Sequence, residues 1–188
     1  MPCKLENERK NLAQGKFLAL DVLSYQTSDG KTHFWESVSR VKSSGAVLMV
    51  AKLVPSGRII VIRQFRPPAG TYVWEFPAGL VEEMEDPAVT AVRELYEETG
   101  YRGKVTTCSS PVFSSPGLTS ETVRIVTMEV EEIGQESPEP HFDGAEEIET
   151  ILVTPSEMLS LLKQAEAKGD VVDSKLYMYA MLQSGGSC

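Results

Sequence analysis

The sequence predicts an α/β protein that begins with a small antiparallel hairpin. Three observations carry this. Short apolar, β-branched runs recur between turn signals along most of the chain. A capped helix interrupts them at residue 86, and two more helix starts follow near the C-terminus. At 188 residues, 41% hydrophobic and 24% charged, the chain has the composition of an ordinary globular domain. A chain of this length can bury about 70% of its unfolded surface without a covalent staple.

The elements follow in order. Residues 17–26 read as a strand, Ser28-Asp29-Gly30-Lys31 as a turn, and residues 32–41 as the returning strand. Lys42-Ser43-Ser44-Gly45 is a link, so residues 1–44 form an N-terminal subdomain and residues 45–188 the main domain. Strands at 46–54 and 58–65 flank a Pro55-Ser56-Gly57 turn. The unbroken Ile59-Ile60-Val61-Ile62 places the second of them centrally. Residues 72–76 form a short strand. Asp86 is an N-cap with Pro87 at the first helical position, and Gly100 is the stop. On a helical wheel Ala88, Val92, Leu95 and Thr99 gather on the expected core face. Strands follow near 104–113 and 121–131, then a polar loop at 134–146 and a strand at Ile148–Val153. Thr154-Pro155-Ser156-Glu157 has the spacing of a capping box, opening a helix to about Lys168. Asp173 caps a last helix through Met181 and Leu182.

Composition excludes several classes. A net charge of −9 repels nucleic acid, whose affinity comes mainly from Lys and Arg contacts to phosphate. No apolar run approaches the ~18 residues of a membrane span. The first ten residues are charged and contain no apolar signal segment. Cys3, Cys108 and Cys188 form no metal pattern, and their odd number argues against a disulfide framework, so a reducing cytoplasm is expected. His33 and His141 have no partner in the sequence and read as structural or solvated.

Chemistry concentrates in residues 79–101. The spacing is Gly79, five residues, Glu85, seven residues, Arg93-Glu94-Leu95-x-Glu97-Glu98-x-Gly100, then Tyr101. On the helix, Glu94, Glu97 and Glu98 fall within an arc of about 100°. Carboxylates this close repel one another, and a hard divalent ion such as Mg²⁺ or Mn²⁺ would remove that cost. Arg93 has two readings, a ligand for substrate phosphate or a planar fork that holds a box carboxylate, and the second is favoured.

This spacing resembles the Nudix box at every fixed position. The resemblance implies an α/β/α sandwich with a mixed sheet and metal-dependent hydrolysis of a diphosphate. Two positions depart from the usual pattern. Tyr101 is aromatic where an aliphatic residue is common. Met84 stands where many members have Gly, and would be strained if that position requires positive φ.

Outside the box, Arg63-Gln64-Phe65-Arg66-Pro67-Pro68, Trp74-Glu75-Phe76-Pro77-Ala78-Gly79 and Pro116, 16 residues past Gly100, resemble the ADP-ribose and ADP-sugar pyrophosphatase branch. That resemblance implies a nucleotide-sugar substrate and two or three Mg²⁺, with Mn²⁺ as the alternative ion. It implies metal ligands at Glu94, Glu97, Glu98 and the Ala78 carbonyl. Substrate contacts would come from Phe17, Trp35, Glu36, Arg40, Arg66, Leu80 and Pro116. It also implies a homodimer that exchanges the N-terminal hairpin, with Trp35 stacking on adenine. Phe17 keeps a ring where other members have Trp, but loses the indole donor. The general base would be Glu146, with Glu147 one position away as the alternative. Two rivals remain: a Nudix hydrolase for GDP-sugars or oxidised nucleoside diphosphates, and a non-catalytic module that senses ADP-ribose.

Overall fold

The computed structural model describes residues 2–42, 45–135, 138–141 and 147–185. A mixed nine-stranded sheet carries helices on both faces, and a separate three-stranded antiparallel sheet precedes it. This is the α/β/α arrangement with a mixed sheet expected above.

The N-terminal sheet has one strand more than the expected hairpin. Strands β2 (Leu18–Gln26) and β3 (Thr32–Arg40) pair from Leu18↔Arg40 to Gln26↔Thr32 around the expected turn. Strand β1 (Lys4–Gln14) adds to the outer side of β2. Its charges concealed it. An edge strand needs little apolar content, and Lys, Arg and Glu there discourage pairing with other chains. At the centre of this sheet Asp21 is buried, yet it accepts hydrogen bonds from Arg9, from Asn11 at 2.9 Å and from Ser39 at 3.2 Å. The Arg9 guanidinium and then Asn11 hold its carboxyl at about 2, below the ordinary carboxylate range.

The main sheet contains β4 (Ala46–Val54), β5 (Ile59–Arg66), β6 (Thr71–Glu75), β7 (Ala78–Leu80), β8 (Gly103–Cys108), β9 (Val112–Phe113), β10 (Thr122–Glu131), β11 (Ile148–Val153) and β12 (Val171–Val172). The main path runs β12-β6-β5-β4-β10-β8, with β11 on β5, β7 on β4 and β9 on β10. β4 and β10 run parallel in the middle. The apolar run Ile59–Ile62 is buried on both sides, as its lack of alternation foretold. Ile60 faces one core with Met49, Leu53 and Met128. Ile59 and Val61 face the other with Phe76, Met158 and Leu176.

Helix α1 (Pro87–Thr99) covers the first core; α2 (Pro155–Glu166) and α3 (Ser174–Gln183) cover the second. The expected caps of α1 are present. Asp86 accepts from Ala88 N–H at 2.8 Å, and Gly100 ends the helix in the left-handed region at φ 73°. The buried face of α1, however, is rotated from the expected one. Thr90, Ala91, Leu95, Glu98 and Thr99 are buried, while Val92 is 40% exposed. Glu98 belongs to this inward face, where its carboxylate accepts a backbone N–H of β7. The capping box of α2 also differs. The Thr154 hydroxyl bonds the Glu157 carboxylate and makes no cap to a backbone N–H. Asp173 caps α3 as expected, accepting from Lys175 N–H at 2.8 Å. Strands β7 and β12, three and two residues long, went unforeseen because such short pieces carry no periodicity.

Candidate active site

The box loop and α1 assemble around one guanidinium. Arg93 donates to Glu85 from Nε at 3.1 Å and from Nη2 at 3.0 Å. Its Nη1 donates to Glu94 at 3.0 Å and to Glu97 at 2.9 Å. Arg93 is therefore the planar fork that holds box carboxylates, the favoured of its two readings. Its hydrogen bonds hold the Glu85 carboxyl at about 2, below the ordinary carboxylate range. Glu98 is buried and accepts from Ala78 N–H at 3.1 Å, which ties α1 to β7. Gly79 is required by the same packing. A Cβ there would stand 2.0 Å from Cδ of Glu94.

One cation thus faces Glu85, Glu94 and Glu97, with Glu98 beside them. The surplus negative charge and all-oxygen donor set fit a hard divalent ion. Among the described residues, no three acidic, Cys or His side chains converge to ligating distance.

A cavity of about 670 Å³ joins this cluster to the rest of the candidate site. Ala78, Leu80, Glu94, Glu97 and Glu98 line it together with Arg40 and Arg66. These seven were all named from sequence. Arg66 is aimed by Glu75, to which its Nε donates at 2.8 Å, and Arg40 pairs with Glu121. Gln64, Glu75, Glu121, Asp173 and Lys175 also line the cavity and were not foreseen as site residues. Gln64 was recoverable, since it lies two residues from Arg66 on one face of β5. Asp173 and Lys175 were not. They reach the cavity because Asp173 N–H donates to Trp74 O at 2.9 Å, docking the start of α3 on β6.

Phe17, Trp35, Glu36, Pro116 and Glu147 lie outside this lining. Trp35 donates its indole N–H to Gly117 O at 3.1 Å. Val38 exchanges backbone hydrogen bonds with Leu118 and Ser120, which docks β3 on the turn at 115–119 of the same chain. Phe17 is 66% exposed and Trp35 51%. Glu147 is exposed just before β11. Glu146 lies outside the described residues. His141 has a partner after all: its Nε2 lies 2.7 Å from the Tyr96 hydroxyl. At positive φ, 67°, Met84 takes the backbone conformation that its departure from Gly put at issue.

A capped acidic helix, a glycine beneath its glutamates and an Arg-lined cavity define a phosphate-handling hydrolase site. The NUDIX domain family model matches residues 42–174, and the chain is a Nudix hydrolase. It is 36% identical over 180 residues to an ADP-sugar pyrophosphatase of Mus musculus, covering 90% of this chain and 83% of that one. It is 35% identical to an ADP-ribose pyrophosphatase of Bacillus subtilis, covering 84% and 82% of the two chains. An ADP-ribose pyrophosphatase of Saccharomyces cerevisiae is also 35% identical, with 82% and 73% covered. The fold matches a solved ADP compounds hydrolase at a TM-score of 0.69 and 19% identity, over 97% of this chain and 92% of that one.

Proposed function

We propose that the protein hydrolyses the diphosphate bond of ADP-ribose, and of related ADP-sugars, to AMP and a sugar phosphate. The observation that carries this is the shared cavity, where the box carboxylates and two arginines face the same space. Nucleotide-sugar pyrophosphatases among the similar proteins supply the substrate class.

Glu94, Glu97, Glu98 and the Ala78 carbonyl would hold divalent ions, Mg²⁺ or alternatively Mn²⁺. A bound metal would supply Lewis acidity to phosphoryl oxygens and lower the pKa of a coordinated water. Arg66, already fixed by Glu75, binds diphosphate oxygens as a permanent charge. Arg93 keeps Glu94 and Glu97 in place without touching substrate. Glu146, or Glu147 beside it, takes a proton from the attacking water.

Residues 1–44 act as a dimerisation subdomain and residues 45–188 as the hydrolase domain. Phe17, Trp35, Glu36, Leu80 and Pro116 then complete the adenine end of the site with a second copy of the chain. The exposed rings of Phe17, Phe34 and Trp35 suit such a partner. Exposed free thiols at Cys3 and Cys108 suit a reducing compartment such as the cytoplasm. No helix among the described residues is long and apolar enough to cross a membrane.

The test is a substrate panel with Mg²⁺, read by chromatography: ADP-ribose, ADP-glucose, GDP-mannose and an oxidised nucleoside diphosphate. AMP plus ribose 5-phosphate is the expected outcome. Preferred turnover of GDP-mannose or the oxidised diphosphate would move the chain to another Nudix substrate class. Tight ADP-ribose binding with no product would make it a sensor. Light scattering on the same sample reads the dimer.

A further inference from the structure

Among the described residues, Gln64 is the one buried polar residue whose side chain no protein group answers. Asp21, Ser24, Thr90, Glu98 and Thr99 are buried too, and each makes a side-chain hydrogen bond within the protein. Gln64 is 7% exposed. Burying an amide without a hydrogen bond is costly, so its partner has to come from elsewhere. Its oxygen and nitrogen are not sealed in, since no side-chain N or O among the described residues is both enclosed and unpartnered. They open on the cavity that Gln64 lines together with Arg66, Glu94, Glu97 and Glu98.

Packing gives no reason for an amide here. By the alternation of a strand, Ile60, Ile62, Gln64 and Arg66 share one face of β5. The two isoleucines are fully buried, and Arg66 is partly exposed. Gln64 stands at the step from core to cavity. Its cross-strand neighbours are Val73 on β6 and Ile148 on β11, whose side chains carry no hydrogen-bonding group. A methionine would continue this apolar row.

The chemistry of the amide narrows its ligand. Arg66, and a metal on the carboxylates, suit phosphate oxygens, which only accept. An amide presents a donor and an acceptor side by side, and so do two adjacent hydroxyls. The base of a nucleotide sugar also has such an edge, but the rings proposed to stack it, Phe17 and Trp35, lie outside this lining.

We propose that Gln64 is a specificity-determining residue that binds hydroxyls of the sugar joined to the nucleotide through the diphosphate. The proposal deepens the proposed function and rests on its nucleotide-sugar class. Gln64 Nε2 donates to one sugar oxygen and Oε1 accepts from the neighbouring hydroxyl, two residues along β5 from the guanidinium that binds the diphosphate. A substrate without those hydroxyls leaves the amide unanswered and gains nothing from it.

Gln64→Met keeps the length of the side chain and removes the amide. Two substrates are compared with Mg²⁺: ADP-ribose, and the β-methyl ester of ADP, which has the same adenosine and the same diphosphate charge but no second sugar. The ratio of their kcat/KM values should fall about 10-fold in the variant, the scale of the hydrogen bonds lost from one side chain. This ratio does not depend on the fraction of protein that is folded. A ratio within twofold of wild type overturns the proposal, whether both substrates suffer alike or neither does, and so does a shift in favour of ADP-ribose. Should Gln64→Met give no folded protein, Gln64→Asn, whose amide is drawn back by one methylene, is read by the same ratio. If the wild type leaves ADP-ribose intact, the proposed function fails. If it leaves either compound intact, affinities from calorimetry take the place of kcat/KM. An affinity ratio lowered about 10-fold then upholds the role of Gln64, and an unchanged ratio, or no binding of ADP-ribose, overturns it.

Discussion

Arg93 grips Glu85 along one edge of its guanidinium, Nε and Nη2 each reaching a different carboxylate oxygen. The pair couples the box loop to α1 and carries a pH signature. In the folded protein the Glu85 carboxyl is held at about 2, against 4.5 when unfolded. The unfolded state therefore binds more protons across that window, and stability rises with pH there. The contribution is complete above about 4.5 and is lost as pH falls toward about 2. Glu85→Gln is expected to cost about 2 kcal/mol at neutral pH, the scale of a hydrogen-bonded pair with a charged partner. Urea melts of both proteins across the acid range should show the gap closing over that window. A gap independent of pH would remove the ion pair as its cause.

Glu98 is buried and accepts a hydrogen bond from the Ala78 N–H. Under the proposed function Glu98 is a metal ligand, and its negative charge then matters more than its hydrogen bonding. Glu98→Gln keeps the shape and an acceptor but removes the charge, and should lower kcat by about 10²-fold, or about 2.7 kcal/mol of barrier. Chelation should abolish wild-type turnover, and added Mg²⁺ should restore it. Near-normal turnover of the variant at saturating Mg²⁺ would exclude Glu98 from the ligand set.

Glu146→Gln and Glu147→Gln separate the two candidates for the base. Glu146→Gln should lower kcat by about 10²-fold or more while ADP-ribose still binds, the signature of a lost general base. Calorimetry supplies the binding arm. If Glu147→Gln alone has this effect, the base is one residue later.

Met84 holds φ at 67° and is 96% exposed, so it gains nothing from packing to offset a left-handed backbone. That conformation costs a non-glycine residue about 1–2 kcal/mol. Met84→Gly relieves it, less the ~0.5–1 kcal/mol of chain entropy that glycine adds. A net gain of about 1 kcal/mol should raise Tm by about 2–4 °C in a chain of this size, with kcat unchanged. A lower melting temperature by circular dichroism would contradict the strain.

The legible parts of this protein were those set by neighbours in sequence. The caps at Asp86, Gly100 and Asp173 are local backbone problems with local solutions, and all three stand where expected. The apolar run Ile59–Ile62 declared a strand buried on both sides. Strand β1 escaped because its partner, β2, supplies the order that its own composition does not advertise. The expected core face of α1 included Val92, which is exposed, and left Glu98 on the flank, whereas Glu98 is buried against Ala78.

By itself the sequence determined the fold class, the box and seven of the residues that line the cavity. Spacing along one helix placed Glu94, Glu97 and Glu98 together, while Arg40, Arg66, Ala78 and Leu80 came from the resemblance of their motifs. Tertiary structure alone decided which faces meet: Arg66 with Glu75, Arg40 with Glu121, the start of α3 with the cavity, and His141 with Tyr96. Each of these joins separate elements through a packing angle or a loop path. Such geometry follows from the whole core, and no local pattern encodes it.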